Sequence, residues 1–402
     1  MTDNQKHSPA NAVHIKTAWT QNWERLKNTP SPRSDGSIDG ERTKDRFQDD
    51  MVSLLNSEHL VVLAGLGASI GVFSSDGTKQ APSMSDLWEE VAQYPDFDRI
   101  KELLSTGIVD NENFEFMLSD AQARLALIEE PSEKELLEDF VSHAEQIVWK
   151  GCNFIDESSK LPYHEAFLRR IARRSTRLQR AQVFTTNYDL AFEQAAANIR
   201  AKVIDGFGFG RGAFEPSSFD LDFVRRRPND QPTLEPNVFQ LLKLHGSVDW
   251  NGSEYSIKKI EPSSKPEEPV LIYPSATKYQ RSYQQPYSEL MSRFQMALRQ
   301  PNVGFIVVGF GFNDDHIVAP IQAALQSNVG LKMLVVDPGM RSDYRSDTFK
   351  QIEQLIDLQD NRLSLLDGKF ADLLSYLPVL SSEDEYSTHL DRAEQVWQES
   401  RP

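Results

Sequence analysis

"VFTTNYDLAFEQAAAN", residues 183–198, decides the fold. An apolar pair, Val183-Phe184, runs into two threonines and then Asn187-Tyr188-Asp189. Beyond Leu190 the apolar positions recur at helical spacing. A buried strand that passes directly into a helix is the repeating unit of an α/β fold with parallel strands. In such sheets ligands bind beyond the carboxyl ends of the strands. A carboxamide, a phenol and a carboxylate placed there ask for more than an ordinary turn.

The same pattern recurs outward from this stretch. Strands are expected at "LVVLA" (60–64), "AQVFTT" (181–186), "FQLLKLHG" (239–246), "VLIYP" (270–274), "VGFIVVGFGF" (303–312) and "LKMLVVDP" (331–338). Helices are expected at "DLAFEQAAAN", "YSELMSRFQMALRQ" and "HIVAPIQAALQS". Near-continuous apolar strands alternating with helices predict a Rossmann-like, doubly wound parallel sheet covered on both faces. A helical insertion is expected over about 85–180, from "SMSDLWEEVAQ", "NENFEFMLSDAQARLALIEE", "SEKELLEDFVSHAEQIVWK" and "PYHEAFLRRIARRS". Ser85 and Ser132 are the expected N-caps there. Residues 251–269 read as a loop, and no internal repeat is present. Residues 1–45 are polar and read as a flexible N-terminal arm, with a frayed or helical "AVHIKTAWTQNWERL" inside it. Residues 46–380 form the folded body, and 381–402 a polar C-terminal tail.

The chain has 402 residues, enough for a sizeable core. Its formal net charge of −17 argues against a general affinity for phosphate backbones or anionic lipid. Cys152 is the single cysteine, so neither an internal disulfide nor a Cys-rich zinc site can form. It is expected to be a small buried hydrophobe. No apolar run approaches the roughly 20 residues that span a bilayer. The N-terminus lacks a signal-peptide pattern, and a cytoplasmic location with no membrane partner is expected.

In "VVLAGLGASIG" a strand is followed by Gly65, Gly67 and Gly71. Glycines here let main chain approach a pyrophosphate, and a helix N-terminus can face it. The dinucleotide fingerprint would need glycine where Ile70 stands, and no Walker A loop exists. A tight strand-to-helix turn with no ligand is an equal alternative. Asn187 and His245 follow other strand ends, and so do "GLGAS" and "GFGFNDDH". Singly, each has a plain structural explanation: Asn187 as a turn residue, His245 as a satisfied core histidine, Asp189 as the cap of the next helix, Tyr188 as packing. Four such strand ends on one crevice are more informative than any one of them.

Gly65-Leu66-Gly67-Ala68-Ser69, Thr186-Asn187-Tyr188-Asp189, Leu244-His245-Gly246-Ser247 and Gly309-Phe310-Gly311, in that order, resemble the SIR2 family from about residue 58 to 338. "APSMSDLW" (81–88) and "GFGFNDDHI" (309–317) resemble its SIR2-like branch in bacterial anti-phage defence. The resemblance implies NAD as substrate, with Asn187 and His245 catalytic at the nicotinamide ribose. It implies Gly65, Gly67, Ala68, Ser69, Thr186, Asp189, Gly309 and Gly311 as dinucleotide contacts. Ser69 and Thr186 are expected to donate to phosphates. Asp337, after "KMLVV", is a further candidate, accepting from a ribose hydroxyl or closing its own turn. Asn313, Asp314 and His316 read as a helix start with an acidic first turn, or as lining of the pocket or a subunit contact. A carboxamide can hold a ribose hydroxyl and a water together, and an imidazole can take a proton near neutral pH.

Classical sirtuins carry a four-cysteine zinc ribbon after the L-H-G segment and a Gly-Ile-Pro-x-Phe-Arg continuation of the first loop. This chain has neither, so no zinc or other metal is expected, and water becomes the acceptor of ADP-ribose. The implied activity is NAD+ hydrolysis. The resemblance also implies a ring-forming homo-oligomer that works with a HerA-type ATPase. A protein deacylase, a non-catalytic NAD or ADP-ribose module and a nuclease subunit are the alternatives. "FLRRIARRSTRLQR" (167–180) holds six arginines and Arg225-Arg226-Arg227 adds three. They read as a solvated or subunit-facing surface, with DNA or a partner protein as the sharper alternative.

Overall fold

The computed structural model describes residues 13–379, apart from 21, 27–30, 33–37, 40, 105–111, 126, 209–211, 229–230, 253–255, 263, 265, 267–268, 272–284 and 343–344. The expected tail at 381–402 lies outside the described residues.

In chain order the strands begin with β1 (His14–Thr17), β2 (Glu24–Arg25), β3 (Ser31–Pro32), β4 (Ile38–Asp39), β5 (His59–Ala64) and β6 (Ala181–Thr185). They continue with β7 (Lys202–Ile204), β8 (Val224–Arg225), β9 (Thr233–Leu234), β10 (Val238–Lys243) and β11 (Gly246–Gly252). The last are β12 (Ile257–Lys259), β13 (Pro269–Leu271), β14 (Val303–Val308), β15 (Leu331–Val336) and β16 (Leu363–Asp367). The helices are α1 (Glu41–Leu55), α2 (Met84–Val91), α3 (Phe97–Leu103), α4 (Phe114–Leu125), α5 (Pro131–Cys152) and α6 (Pro162–Ile171). They are followed by α7 (Ala191–Asn198), α8 (Tyr287–Leu298), α9 (Asp315–Ser327), α10 (Asp347–Asp357) and α11 (Phe370–Leu373).

The central sheet runs β2-β1-β16-β15-β14-β5-β6-β10-β7. The seven strands from β16 to β7 are parallel, as expected, and β1 lies antiparallel on β16. From β5 the chain builds outward to β6, β10 and β7, and then returns to the other side of β5 with β14, β15 and β16. β5 is therefore the switch point, and the carboxyl end of such a strand is where a doubly wound sheet binds ligands. Side chains alternate across the pleat. Leu60, Val62 and Ala64 enter one apolar cluster, with α1, α6 and α7; Val61 and Leu63 enter the other, with α8, α9 and α10. Both faces are buried, which is why these strands read as unbroken apolar runs.

The N-terminal stretch differs from expectation. Residues 14–17 are not an arm but a sheet strand, with Ile15 fully buried against β16. Lys16 Nζ lies 2.9 Å from Glu353 and 2.8 Å from Asp357 of α10, and Trp23 Nε1 donates to Glu353 at 3.0 Å. Trp19 Nε1 donates to Asp50 of α1 at 2.9 Å. Val13, Ile15 and Thr17 alternate with a period of two, but Lys16 between them is buried as well, and β1 is paired on both sides, by β2 and β16.

The helical insertion is narrower than expected. α2 to α5 enclose a core of their own, built on Leu87, Trp88, Phe97, Phe114, Met117, Phe140 and Ile147. α6 instead sends Phe167, Leu168 and Ile171 into the sheet's core, so the insertion ends with α5. The α2 cap is Ser83, not Ser85: Ser83 and Asp86 form a reciprocal capping box. α5 begins at Pro131, which puts Ser132 inside the first turn. β12, inside the stretch expected to be a loop, pairs antiparallel with β11 in a separate three-stranded sheet, and 269–271, at the start of the strand expected at 270–274, pairs antiparallel on the other side of β11 rather than joining the parallel sheet.

His164 of α6 is buried between Phe192 and Phe370, and neither ring nitrogen has a hydrogen-bond partner. Burial pulls its pKa down from 6.5 to about 4, against a weaker opposite pull from Asp189. The unfolded chain takes up this proton as the pH falls through about 6.5, whereas the folded chain does not until about 4. Between these values the unfolded state binds more protons, so stability falls with pH there. Urea unfolding should show a loss of about 2 kcal/mol from this group between pH 7 and 5. His164→Leu should remove that part of the slope whatever it does to stability at pH 7. An unchanged slope in the variant would show that the imidazole is solvated.

Candidate active site

One row of paired residues crosses the switch point: Val336, Val308, Ala64, Thr185 and Lys243. The next residue on each strand leaves the sheet at the same end. These are Asp337, Gly309, Gly65, Thr186 and Leu244, and one position further come Asn187 and His245. The strand ends expected to converge therefore do so in register.

The glycines are explained by main chain meeting main chain. A Cβ on Gly65 would come within 2.6 Å of the Gly309 carbonyl oxygen, and one on Gly67 within 2.6 Å of Gly309 Cα. Gly309 itself has φ +60°, and a side chain there would collide with the Gly67 backbone. The N–H of Gly65 donates to Val308 O, that of Gly67 to Gly309 O, and that of Ala68 to Gly65 O. These donors are spent inside the protein rather than offered as a phosphate cradle. The loop also opens a single 3-10 turn, Leu66–Ala68, and not an α-helix whose N-terminus could face a pyrophosphate.

Asn187 is held by both hydrogens of its amide. Nδ2 donates to Gly65 O at 2.9 Å and to Ser69 Oγ at 3.0 Å, and its backbone N–H donates to Thr185 Oγ1 at 3.0 Å. Among the described residues its Oδ1 makes no hydrogen bond. Both amide hydrogens are thus used, which leaves Oδ1 as an acceptor and not the combined donor and acceptor expected from the sequence. Ser69 is fully buried and donates to Asp189 Oδ2 at 2.7 Å, so it has no hydrogen to give a phosphate. Asp189 closes the network: its Oδ1 accepts from Ala191 N at 2.9 Å, two residues on. It is not the N-cap of α7 as weighed from the sequence; that position is Leu190, and Asp189 stands one residue before it, bonded to Ser69. Thr186 donates its N–H to Ala64 O and keeps a half-buried side chain at the rim.

Beneath this turn lies a residue that the sequence did not single out. Lys243, the last residue of β10, is buried and donates to Tyr188 O at 3.2 Å, to Asp189 O, and to Glu193 Oε1 at 3.0 Å. Burial pushes the Glu193 carboxyl up, and Lys243 pulls it back down. Cys152 packs nearby, partly rather than fully buried as expected, and desolvation pushes its thiol up to about 12.

His245 is buried, and its Nε2 lies 3.1 Å from His316 Nε2 and 3.3 Å from Asp314 Oδ2. His316 Nδ1 lies 2.9 Å from Asp314 Oδ1. Asp314 and His316 do lie at the start of α9, with Asp315 as its acidic first-turn residue, and they also contact His245. These three residues also place a potential metal-ligand atom each within 4.8 Å of the others, a grouping not foreseen from the sequence. Gly311 is exposed on the loop between β14 and α9. Asp337 closes its own turn, accepting from Gly339 N at 2.7 Å, two strands from β5. Burial raises its pKa and this bond lowers it.

A cavity of about 540 Å³ lies at the opposite end of these strands, beside His59, Gln182 and Gln240. Its cations are already paired: Arg180 with Asp222, and Arg293 with Glu289 and Asp220. Much of the arginine run is likewise used internally. Arg170 donates to Leu374 O and Leu377 O, Arg174 to Ser57 O and Glu58 O, and Arg225 binds Glu235 through two bonds. Among the described residues no helix is long and apolar enough to cross a membrane.

Residues 181–355 match the family described as the SIR2-like domain. The Gly65–Ser69 turn precedes the matched span. No curated protein matches the chain. Among solved structures, a SIR2 homolog–NAD complex aligns at 14% identity and a TM-score of 0.43, covering 82% of this chain and 91% of its own. A Sir2 homologue mutant with ADP-ribose aligns at 14% identity and a TM-score of 0.39, covering 87% and 98%.

Proposed function

We propose that this chain is an NAD+ hydrolase that releases nicotinamide and ADP-ribose. The observation that carries this is the row of strand ends at the switch point, which delivers Asn187 and His245 to one crevice beside the glycine turns. The match of residues 181–355 to a SIR2-like domain supports NAD as the dinucleotide.

Breaking the bond between nicotinamide and ribose leaves an oxocarbenium-like centre at C1′. Such a reaction is helped chiefly by positioning and by fixed dipoles. Asn187 Oδ1, locked by the two bonds of its own amide, accepts from a ribose hydroxyl or the attacking water. The pair of electrons of the C1′–N bond leaves with nicotinamide. Water adds its oxygen to C1′, and His245 takes the proton released. Preorganisation is supplied by the Ser69–Asp189 bond behind Asn187 and by Lys243 beneath the turn.

The narrower role rests on the order of the motifs. We propose a bacterial anti-phage effector, acting as a homo-oligomeric ring with a HerA-type ATPase that switches it on. Free NAD+ hydrolysis would otherwise kill the host. NAD+ should be followed by chromatography with wild type and His245→Ala, with and without that ATPase. Wild type in the complex should yield nicotinamide and ADP-ribose in equal amounts, and His245→Ala about a hundredfold less. Equal turnover by the variant would remove His245 from the reaction.

A further inference from the structure

Asp314 stands at the N-cap position of α9, where an aspartate ordinarily accepts from the free N–H groups of the first turn. It makes no such bond. Its carboxylate is spent instead on two imidazoles. Oδ1 lies 2.9 Å from His316 Nδ1, and Oδ2 lies 3.3 Å from His245 Nε2. The two rings lie 25° from parallel with Nε2 facing Nε2 at 3.1 Å.

This geometry fixes where the hydrogens sit. An ionised carboxylate only accepts, so His316 carries its hydrogen on Nδ1. A neutral imidazole of that form has a lone pair on Nε2. Two groups therefore face His245 Nε2, a carboxylate oxygen and an imidazole lone pair, and both accept. We infer that Asp314 and His316 are positioning residues that hold His245 in the form with hydrogen on Nε2, so that Nδ1 is the nitrogen that takes the proton. When it does, Asp314 lies beside the new cation and stabilises it without itself being protonated. The kinetic consequence rests on the NAD+ hydrolase reading; the hydrogen placement does not.

A divalent cation held by the same three residues makes the opposite demand. Each ligating nitrogen would then turn a lone pair toward the ion, and His245 Nε2 could carry no hydrogen. The full chain should be prepared with ¹⁵N in its histidine rings, treated with chelator, and the His245 signals assigned by their loss in His245→Gln. Nitrogen shifts separate N–H from lone-pair nitrogen. His245 should show N–H at Nε2 and a lone pair at Nδ1, with no stoichiometric metal retained before chelation. In Asp314→Asn, whose amide can donate, the Nε2–H form should lose its dominance. In the activated complex kcat should then fall about a hundredfold with KM within about threefold. Hydrogen on His245 Nδ1, or one tightly held metal ion per chain, overturns the inference. Absence of NAD+ turnover in the wild type would instead strike at the proposed activity and leave the hydrogen placement standing on the spectra.

Discussion

Asn187→Asp should lower NAD+ turnover by a factor of about 10² to 10³, a loss no smaller than that of Asn187→Ala. The two residues have nearly the same shape, so the difference is one of hydrogens. Nδ2 gives one to Gly65 O and one to Ser69 Oγ. An aspartate has none to give. It would set an anion against the Gly65 carbonyl oxygen, and against a serine whose own hydrogen is already pledged to Asp189. Two carboxylates would then flank one buried hydroxyl. Asn187 would leave its position and Oδ1 would no longer face the crevice. Ser69→Ala should cost less, about tenfold, because Gly65 O still holds one hydrogen of the amide. The check is steady-state nicotinamide release by the activated complex for all three variants. Turnover of Asn187→Asp within about threefold of wild type would mean that the amide's donors do not orient the site.

The parts of this molecule that could be read in advance are those where neighbours in sequence carry the signal. β5, β6, β10, β14 and β15 are buried on both faces, so their apolar runs stand out. Their ends fall in one register, and the candidate residues come with them. β1 was harder because Lys16, which is buried, looks like a surface residue in the sequence. Its partners, Glu353 and Asp357, lie at the other end of the chain. The α2 cap slipped by two residues because Ser83 and Ser85 both precede the apolar face; Asp86, which bonds back to Ser83, settles it. In the site, residue types were legible but not which atoms remain for a ligand. That depends on Gly65 O and Ser69 reaching Asn187 across more than a hundred residues. Asp314 reads as a cap by every local rule, and only the fold shows that it serves two histidines.

Lys243→Met should destabilise the chain by about 3 to 5 kcal/mol at neutral pH, the range for removing one member of a buried ion pair. Methionine fills much the same volume, so the loss is one of charge and donors. Glu193 loses the cation that offsets its burial, and the carbonyls of Tyr188 and Asp189 lose a donor. Adding Glu193→Leu to Lys243→Met should recover part of that loss, since no buried charge is left unpaired. Recovery should stop short of wild type. Asp189 O is still without the Lys243 donor, whereas Tyr188 O keeps the backbone N–H of Val248 at 3.1 Å. Urea unfolding of the two single variants and the double variant measures the coupling. Additive costs, with no recovery in the double variant, would show that Lys243 stabilises the turn through its carbonyl bonds alone. The activity should not recover with the stability. The turn that Lys243 pins carries Asn187 two residues before Asp189, so a double variant that folds well should still hydrolyse NAD+ slowly. Separation of the two measurements would distinguish a residue that shapes the site from one that only holds the fold.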